Sequence, residues 1–128
     1  MMRLRAYWRD EHGGGAAEFA IVAMVFSALI FAIIHLCLMF YANQNLQFAV
    51  EGAARCSSVM SATTCNTPGA VQTYAGGLYK GPNISPSFVY TATGCGNTVT
   101  GTGSYTLNAV FVGTSVPLSV TACFPSVH

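Results

Sequence analysis

Side chains capable of acid–base chemistry are scarce in this chain of 128 residues. Its four carboxylates are Asp10, Glu11, Glu18 and Glu51. Hydrolytic enzymes need two carboxylates around one bond, or a nucleophile with a histidine and an acidic partner. After the long apolar segment that begins at Phe19, the only carboxylate is Glu51 and the only histidine is the terminal His128. We therefore predict that the protein is not an enzyme, and we expect no cofactor.

The cysteines are the second group with possible chemistry. Cys37 lies inside the apolar segment, where a thiol most simply packs as a small apolar side chain. The other four follow it and are Cys56, Cys65, Cys95 and Cys123. An even set in an exported segment is typical of two disulfides, and all three pairings remain open from the sequence. We expect Cys56–Cys65 and Cys95–Cys123, because each would join segments that are expected to be neighbours. The lack of C-x-x-C spacing disfavours a metal site.

The charge balance excludes one class of partner. Charged residues make up 7% of the sequence, against roughly 25% in an ordinary soluble domain, and the net charge is +1. Nucleic-acid binding needs a basic surface, which this composition cannot supply. We therefore expect no nucleic-acid partner.

The apolar segment, residues 19–42, is predicted to span a membrane. It contains no glycine or proline, and it reaches the roughly 20 residues that a spanning helix needs. A cleaved signal peptide has a shorter apolar core and an A-x-A-like site after it, which this segment lacks. Arg3, Arg5 and Arg9 precede it, so the positive-inside rule predicts a cytoplasmic N-terminus and an exported C-terminal domain.

Helical periodicity continues beyond this span. A stripe of small and apolar side chains recurs at helical spacing and comprises Leu46, Ala49, Val50, Ala53 and Ser57. We therefore predict one long helix that starts in the membrane and ends outside it as an amphipathic extension. A second, short helix is predicted from Thr67 as N-cap and Pro68 as first residue to about Tyr74, with Gly76-Gly77 ending it.

The last third of the chain has the residue pattern of β-strands. Alternation with β-branched and aromatic enrichment predicts strands over 87–93, 104–112 and 115–122, with a tight hairpin at Gly113-Thr114. Pro117 indicates that the last strand lies at an edge or carries a bulge. The predicted fold class is α+β, with a long N-terminal helix, a short second helix and a small antiparallel sheet of about three strands. Candidate core residues of the sheet are Val89, Leu107, Val110, Val112, Leu118 and Val120.

Glu18 stands at the very start of the apolar segment. A carboxylate in hydrocarbon costs at least ~2.5 kcal/mol, although water at the membrane rim lowers that cost. The spacing suggests that Glu18 has a function and is not merely tolerated at the membrane surface. If a peptidase cuts the chain between Gly13 and Gly14, Glu18 becomes the fifth residue of the mature chain. The new amine at Gly14 could then pair with Glu18 of a neighbouring subunit, so that two charges costly in lipid offset each other.

These residues resemble a known family, the TadE-like pseudopilins of the tight-adherence (Flp-type) pilus system. The similar features are "GGGAAEFA" at 13–20, Phe40-Tyr41 with Gln44, and a Gly-Ala-Ala-Arg close at 52–55, within a resemblance that covers about residues 9–56. The resemblance implies a pilin-like fold and cleavage by a prepilin peptidase after Gly13, with Glu18 and Phe19 as recognition and assembly residues. It also implies a bacterial inner-membrane location, partnership with other pseudopilins or the major Flp pilin, and contact with inner-membrane platform proteins.

The sequence departs from the family at the span. The family often carries an early proline, which "IVAMVF" lacks, and a glycine and a glutamate further on, where this chain has Ala32 and His35. A missing proline favours a straighter helix. His35 is interpreted either as a neutral histidine hydrogen-bonded within a helix bundle or as an intramembrane polar contact with a partner.

The resulting organisation has three parts: a basic leader at 1–13, a transmembrane and extension helix at 14–60, and an exported, disulfide-linked β-rich domain at 61–128. The favoured function is a structural component of Flp-type pilus assembly. Two alternatives remain open. One is an uncleaved single-span anchor with an exported binding module, and the other is a pseudopilin of a type II secretion system.

Overall fold

The protein combines two helices with one three-stranded sheet. A computed structural model describes residues 14–59, 63–109 and 112–126, so the predicted leader lies outside the described residues. The chain divides into two compact units, residues 1–36 and 37–128. In chain order the elements are α1 (Gly14–Val59), α2 (Pro68–Leu78), β1 (Ser87–Thr93), β2 (Gly96–Ala109) and β3 (Val112–Phe124). This order confirms the predicted α+β, pilin-like class.

In the second unit, one face of α1 forms the centre of the core. All five residues of the predicted stripe are buried, and Ala42 and Ala54 extend the same face. Small side chains dominate this face, which allows the sheet backbone to approach the helix closely. The core is completed by buried side chains from the rest of the unit, namely Cys56, Cys65, Val71, Ala75, Ile84, Phe88, Val99 and Tyr105.

Helix α2 begins as predicted and ends later than predicted. The Thr67 side chain accepts a hydrogen bond from the backbone N–H of Ala70, and Pro68 opens the helix. The predicted end at Gly76-Gly77 is wrong, because the helix continues through both glycines to Leu78. Leu78 packs at Gly52 of α1, where an added Cβ would lie 2.6 Å from the Leu78 Cδ1. This tertiary contact outweighs the weak helix propensity of two glycines.

The sheet is antiparallel in the order β1-β2-β3. Strand β1 has the predicted limits, whereas β2 begins at Gly96 and not at Ser104. The segment predicted as a break pairs with β1 along the whole of that strand, from Thr93 opposite Gly96 to Ser87 opposite Thr102. Gly101 within this segment is explained by packing and not by a turn, because an added Cβ would meet Val50, Leu46 and Phe88.

The predicted hairpin at Gly113-Thr114 is also wrong. Ala109 pairs with Val112, and both Gly113 and Thr114 lie inside β3, opposite Asn108 and Leu107. The other hairpin reverses at Gly94-Cys95 and enters β2 at Gly96, whose φ of +132° suits only glycine.

The core of the sheet was predicted in part. Leu107, Leu118 and Val120 are partly buried and pack against the core. The prediction that Val89 belongs to the core is wrong, because its side chain is 50% exposed while that of its neighbour Phe88 is buried. Adjacent strand residues face opposite sides of a sheet, and the larger aromatic side chain takes the core side. The side chains of Val110 and Val112 lie outside the described residues.

The prediction that Pro117 marks an edge strand is confirmed, since β3 ends the strand order. Pro117 pairs with Ser104, whose N–H donates to the Ile84 carbonyl on the β1 side at 2.9 Å. In an antiparallel sheet both backbone polar groups of a residue point to the same side. Ser104 and Pro117 therefore make no backbone hydrogen bonds with each other, and the Pro117 nitrogen faces the outer edge of the sheet.

Candidate assembly segment

The described part of the first unit is the apolar beginning of α1, residues 14–36. Its large side chains are exposed on all sides of the helix and include Phe19, Ile21, Val22, Met24, Val25, Phe26, Leu29, Ile30, Phe31, Ile33 and Ile34. A helix that is apolar all round is typical of a membrane span or of the centre of a large core. By length and composition, α1 qualifies as a helix that can cross a membrane.

Glu18 and its neighbours lie at the start of this helix. Gly14 is the first residue of α1, Glu18 is exposed and follows one turn later, and Phe19 is 74% exposed. An added Cβ at Gly14 or Gly15 would have nothing within 4 Å. Packing against the described residues therefore explains neither glycine. Gly13, the other side of the predicted cleavage bond, lies outside the described residues.

The polar side chains within the apolar helix differ in their hydrogen bonding. The Ser27 hydroxyl donates to the Ala23 carbonyl at 2.7 Å, so the helix satisfies this group by itself. The His35 Nδ1 is buried and has no hydrogen-bond partner within the described residues. Because an unsatisfied buried polar atom costs free energy, His35 is the one of these two positions where a partner molecule would add a missing bond. Its predicted role as a partner contact stays a prediction.

The second unit presents an outer face of α1 that the sequence analysis did not identify. The exposed residues Phe40, Gln44, Phe48, Glu51 and Arg55 recur at three- and four-residue spacing, opposite the buried stripe. Phe48 is 62% exposed although it lies beyond the apolar segment. Its position among the polar residues Gln44, Glu51 and Arg55 was the available signal, and this face is where a second helix could pack.

The four cysteines after the apolar segment form two disulfides in the structure, Cys56–Cys65 and Cys95–Cys123. The first lies in the core, where both residues are buried. The second joins the β1–β2 turn to the end of β3. Cys37 is exposed and carries a free thiol. No cluster of His, Cys, Asp or Glu within the described residues has the geometry to hold a metal ion.

A long N-terminal helix, apolar at its start and covered by a small antiparallel sheet further along, defines the pilin-like class. The family model of the TadE-like proteins matches residues 13–55, which confirms the TadE-like resemblance of this segment. The TadE-like proteins are a structural and not a catalytic family of Tad pilus assembly, and the likeness to them extends over residues 13–55 alone. The comparison with curated proteins found no match, and neither did the comparison with solved structures.

Proposed function

We propose that this protein is a prepilin-peptidase substrate that acts as a minor pilin or pseudopilin in Flp-type pilus assembly. The observation that carries the proposal is the family match over 13–55. That segment contains the glycines around the proposed cut, the exposed Glu18 and the whole apolar part of α1. The type II secretion alternative shares this general plan, but the TadE-like match favours the Flp-type system.

In the proposed mechanism, the peptidase cuts between Gly13 and Gly14 on the cytoplasmic side and leaves α1 in the membrane. The cut creates an amine at Gly14, close to the membrane rim. An ammonium and a carboxylate are each costly in a medium of low dielectric constant, and pairing them recovers much of that cost. Pairing of this amine with Glu18 of the next subunit would set the axial register of α1 helices in the assembly.

The proposed orientation has residues 1–13 in the cytoplasm and the disulfide-linked domain in the periplasm, from where assembly would carry the chain into an extracellular pilus. Two features support it. Arginines are concentrated before the apolar segment, and both disulfides lie after it, where an oxidising compartment would allow them to form. His35 would contact another pseudopilin or a platform protein within the membrane.

Intact mass and N-terminal sequencing of the membrane-extracted protein test this proposal. We expect a mature chain that begins at Gly14 in a host with the peptidase and an uncut chain in a host without it. Glu18→Ala should reduce incorporation into the assembly by at least about tenfold, the effect of losing an interaction of roughly 1.4 kcal/mol. Ser27→Ala removes a polar group of the same helix whose hydrogen bond is made within the helix, and it should leave both processing and incorporation unchanged.

Two results would contradict the proposal. A chain that keeps its leader in both hosts would exclude processing and favour the uncleaved anchor with an exported binding module. Equal incorporation of Glu18→Ala and the wild-type chain would exclude Glu18 as an assembly contact even if cleavage occurs.

A further inference from the structure

A cavity of about 390 Å³ opens in the second unit, beside the Cys56–Cys65 disulfide. It lies between the end of α1, the start of α2 and the hairpin of β1 and β2. Its volume falls within the range of small-molecule binding sites, which runs from about 300 to 1,000 Å³. None of the described residues that line it carries a charge.

The lining is rich in hydroxyl and amide groups around one aromatic ring. The polar side chains that matter here are Ser58, Asn66, Thr67, Tyr90, Thr93 and Asn97. Apolar surface comes from Val71 at the base and from Ala92 on the strand. A ligand that matches this lining has many hydroxyl groups, no net charge and an apolar face for the ring.

A hydrogen-bonded network holds the cavity in shape. The Asn97 amide donates to the Ser57 carbonyl at 3.1 Å and to the Ser58 hydroxyl at 3.3 Å, which ties β2 to the end of α1. The Tyr90 hydroxyl donates to the Asn97 Oδ1 at 2.7 Å, which fixes the orientation of the ring. Because these groups are already positioned, a ligand would lose little affinity to ordering the site.

The start of α2 is a poor site for an anion. Pro68 has no N–H, the Ala70 N–H is used by the Thr67 side chain, and the Val71 N–H donates to the Thr67 carbonyl. Three of the first four positions of α2 therefore offer no free donor. Without a basic residue in the described lining, a phosphate or sulfate would gain little.

We propose that this cavity binds one neutral sugar unit, with the apolar C–H face of the sugar against the Tyr90 ring and its hydroxyls on the surrounding hydroxyl and amide groups. Aromatic rings supply a large, rigid apolar surface, and polar groups around such a surface fix the orientation of a ligand. The site lies between residues 57 and 126, which the proposed orientation places in the periplasm, and it does not depend on processing of the leader. Once the chain is part of an extracellular pilus, this site would let it contact glycans at a cell surface.

Saturation-transfer difference NMR on the full chain in lipid nanodiscs tests this proposal. Nanodiscs are chosen because detergents with sugar headgroups would compete for the site. The probes are the methyl glycosides of glucose, galactose and N-acetylglucosamine, with empty nanodiscs as background. We expect saturable transfer from at least one sugar with a dissociation constant of about 1 mM.

Two matched variants test the location. Ala92→Trp places a large ring in the cavity and should weaken binding by at least about tenfold, through steric exclusion. Thr91→Trp introduces the same ring one residue earlier, on the opposite side of β1, and should leave the affinity within about twofold of wild type. Both positions are exposed, so neither change disturbs the core.

The proposal is overturned if no sugar gives saturable transfer up to about 100 mM, a concentration at which even very weak sites fill. It is also overturned if Thr91→Trp and Ala92→Trp weaken binding equally, because the sugar would then bind elsewhere. Displacement of the sugar by millimolar sodium sulfate would assign the cavity to anions instead.

Discussion

At the scale of single residues, Tyr79 makes the stability of the second unit depend on pH. Its hydroxyl donates to the Pro82 carbonyl at 2.6 Å. Burial, and to a smaller extent the nearby Tyr41, raise the pKa of Tyr79 above its usual value of 10.0. The folded state thus holds this proton more tightly than the unfolded state. The resulting stabilisation is complete below pH 10 and is lost as the pH rises through the folded-state pKa.

We therefore expect the free energy of unfolding to fall above about pH 10, and Tyr79→Phe to flatten that fall. Urea unfolding followed by circular dichroism at several pH values measures it. Tyr90→Phe is the control, since it also removes a hydroxyl that donates a hydrogen bond. If the two variants flatten the pH dependence equally, the assignment to Tyr79 is wrong.

At the scale of elements, strand β2 depends on the absence of a side chain at Gly101. An added Cβ would lie 2.6 Å from Val50 Cγ2, 3.1 Å from Leu46 Cδ1 and 3.2 Å from Phe88 Cε1. Three neighbours cannot all move away in a filled core, so Gly101→Ala should destabilise the unit by about 1–3 kcal/mol in urea unfolding. Gly113→Ala, where a Cβ would meet nothing within 4 Å, should stay within about 0.5 kcal/mol of wild type. Equal effects of the two changes would mean that the sheet is not packed this tightly on α1.

The same strand shows what the sequence could and could not predict. The buried stripe of α1 was predictable, because helical spacing places five small or apolar residues on one face whatever covers them. The start of β2 was not predictable from the sequence. Gly101 and Gly103 leave room for side chains from elsewhere in the chain, among them Val50 and Ile84. A glycine that marks a turn and a glycine that admits a neighbour look alike until that neighbour is known.

The candidate site was predictable to a different depth in each unit. Glu18 and the glycines before it could be identified from spacing to the apolar segment alone, and the structure adds that Gly14, Gly15 and Glu18 are exposed. The cavity beside Tyr90 could not be identified, because its lining comes from four elements far apart in the sequence. No local pattern places Ser58, Asn66 and Asn97 around one space.

At the scale of the whole molecule, the two edge strands of the sheet are protected in different ways from pairing with another chain. Helix α2 contacts β1, whereas β3 pairs only with β2 within the described residues. An open strand edge is a template for pairing with another chain, and this risk rises when subunits are concentrated in one membrane. Pro117 interrupts the row of outward N–H donors near the middle of β3. We infer that it keeps the sheets of neighbouring copies from joining edge to edge.

Replacing Pro117 tests this inference. Pro117→Val restores an outward N–H donor and adds a β-branched side chain, so the purified chain in detergent should self-associate at least about tenfold more strongly than wild type in sedimentation velocity. Ser119→Val is the matched control. It adds the same side chain two residues along the same face, but its outward N–H is already present, so its self-association should stay near that of wild type. Equal association of both variants would assign the effect to apolar surface, and no association of Pro117→Val would show that the edge is protected by something other than the missing donor.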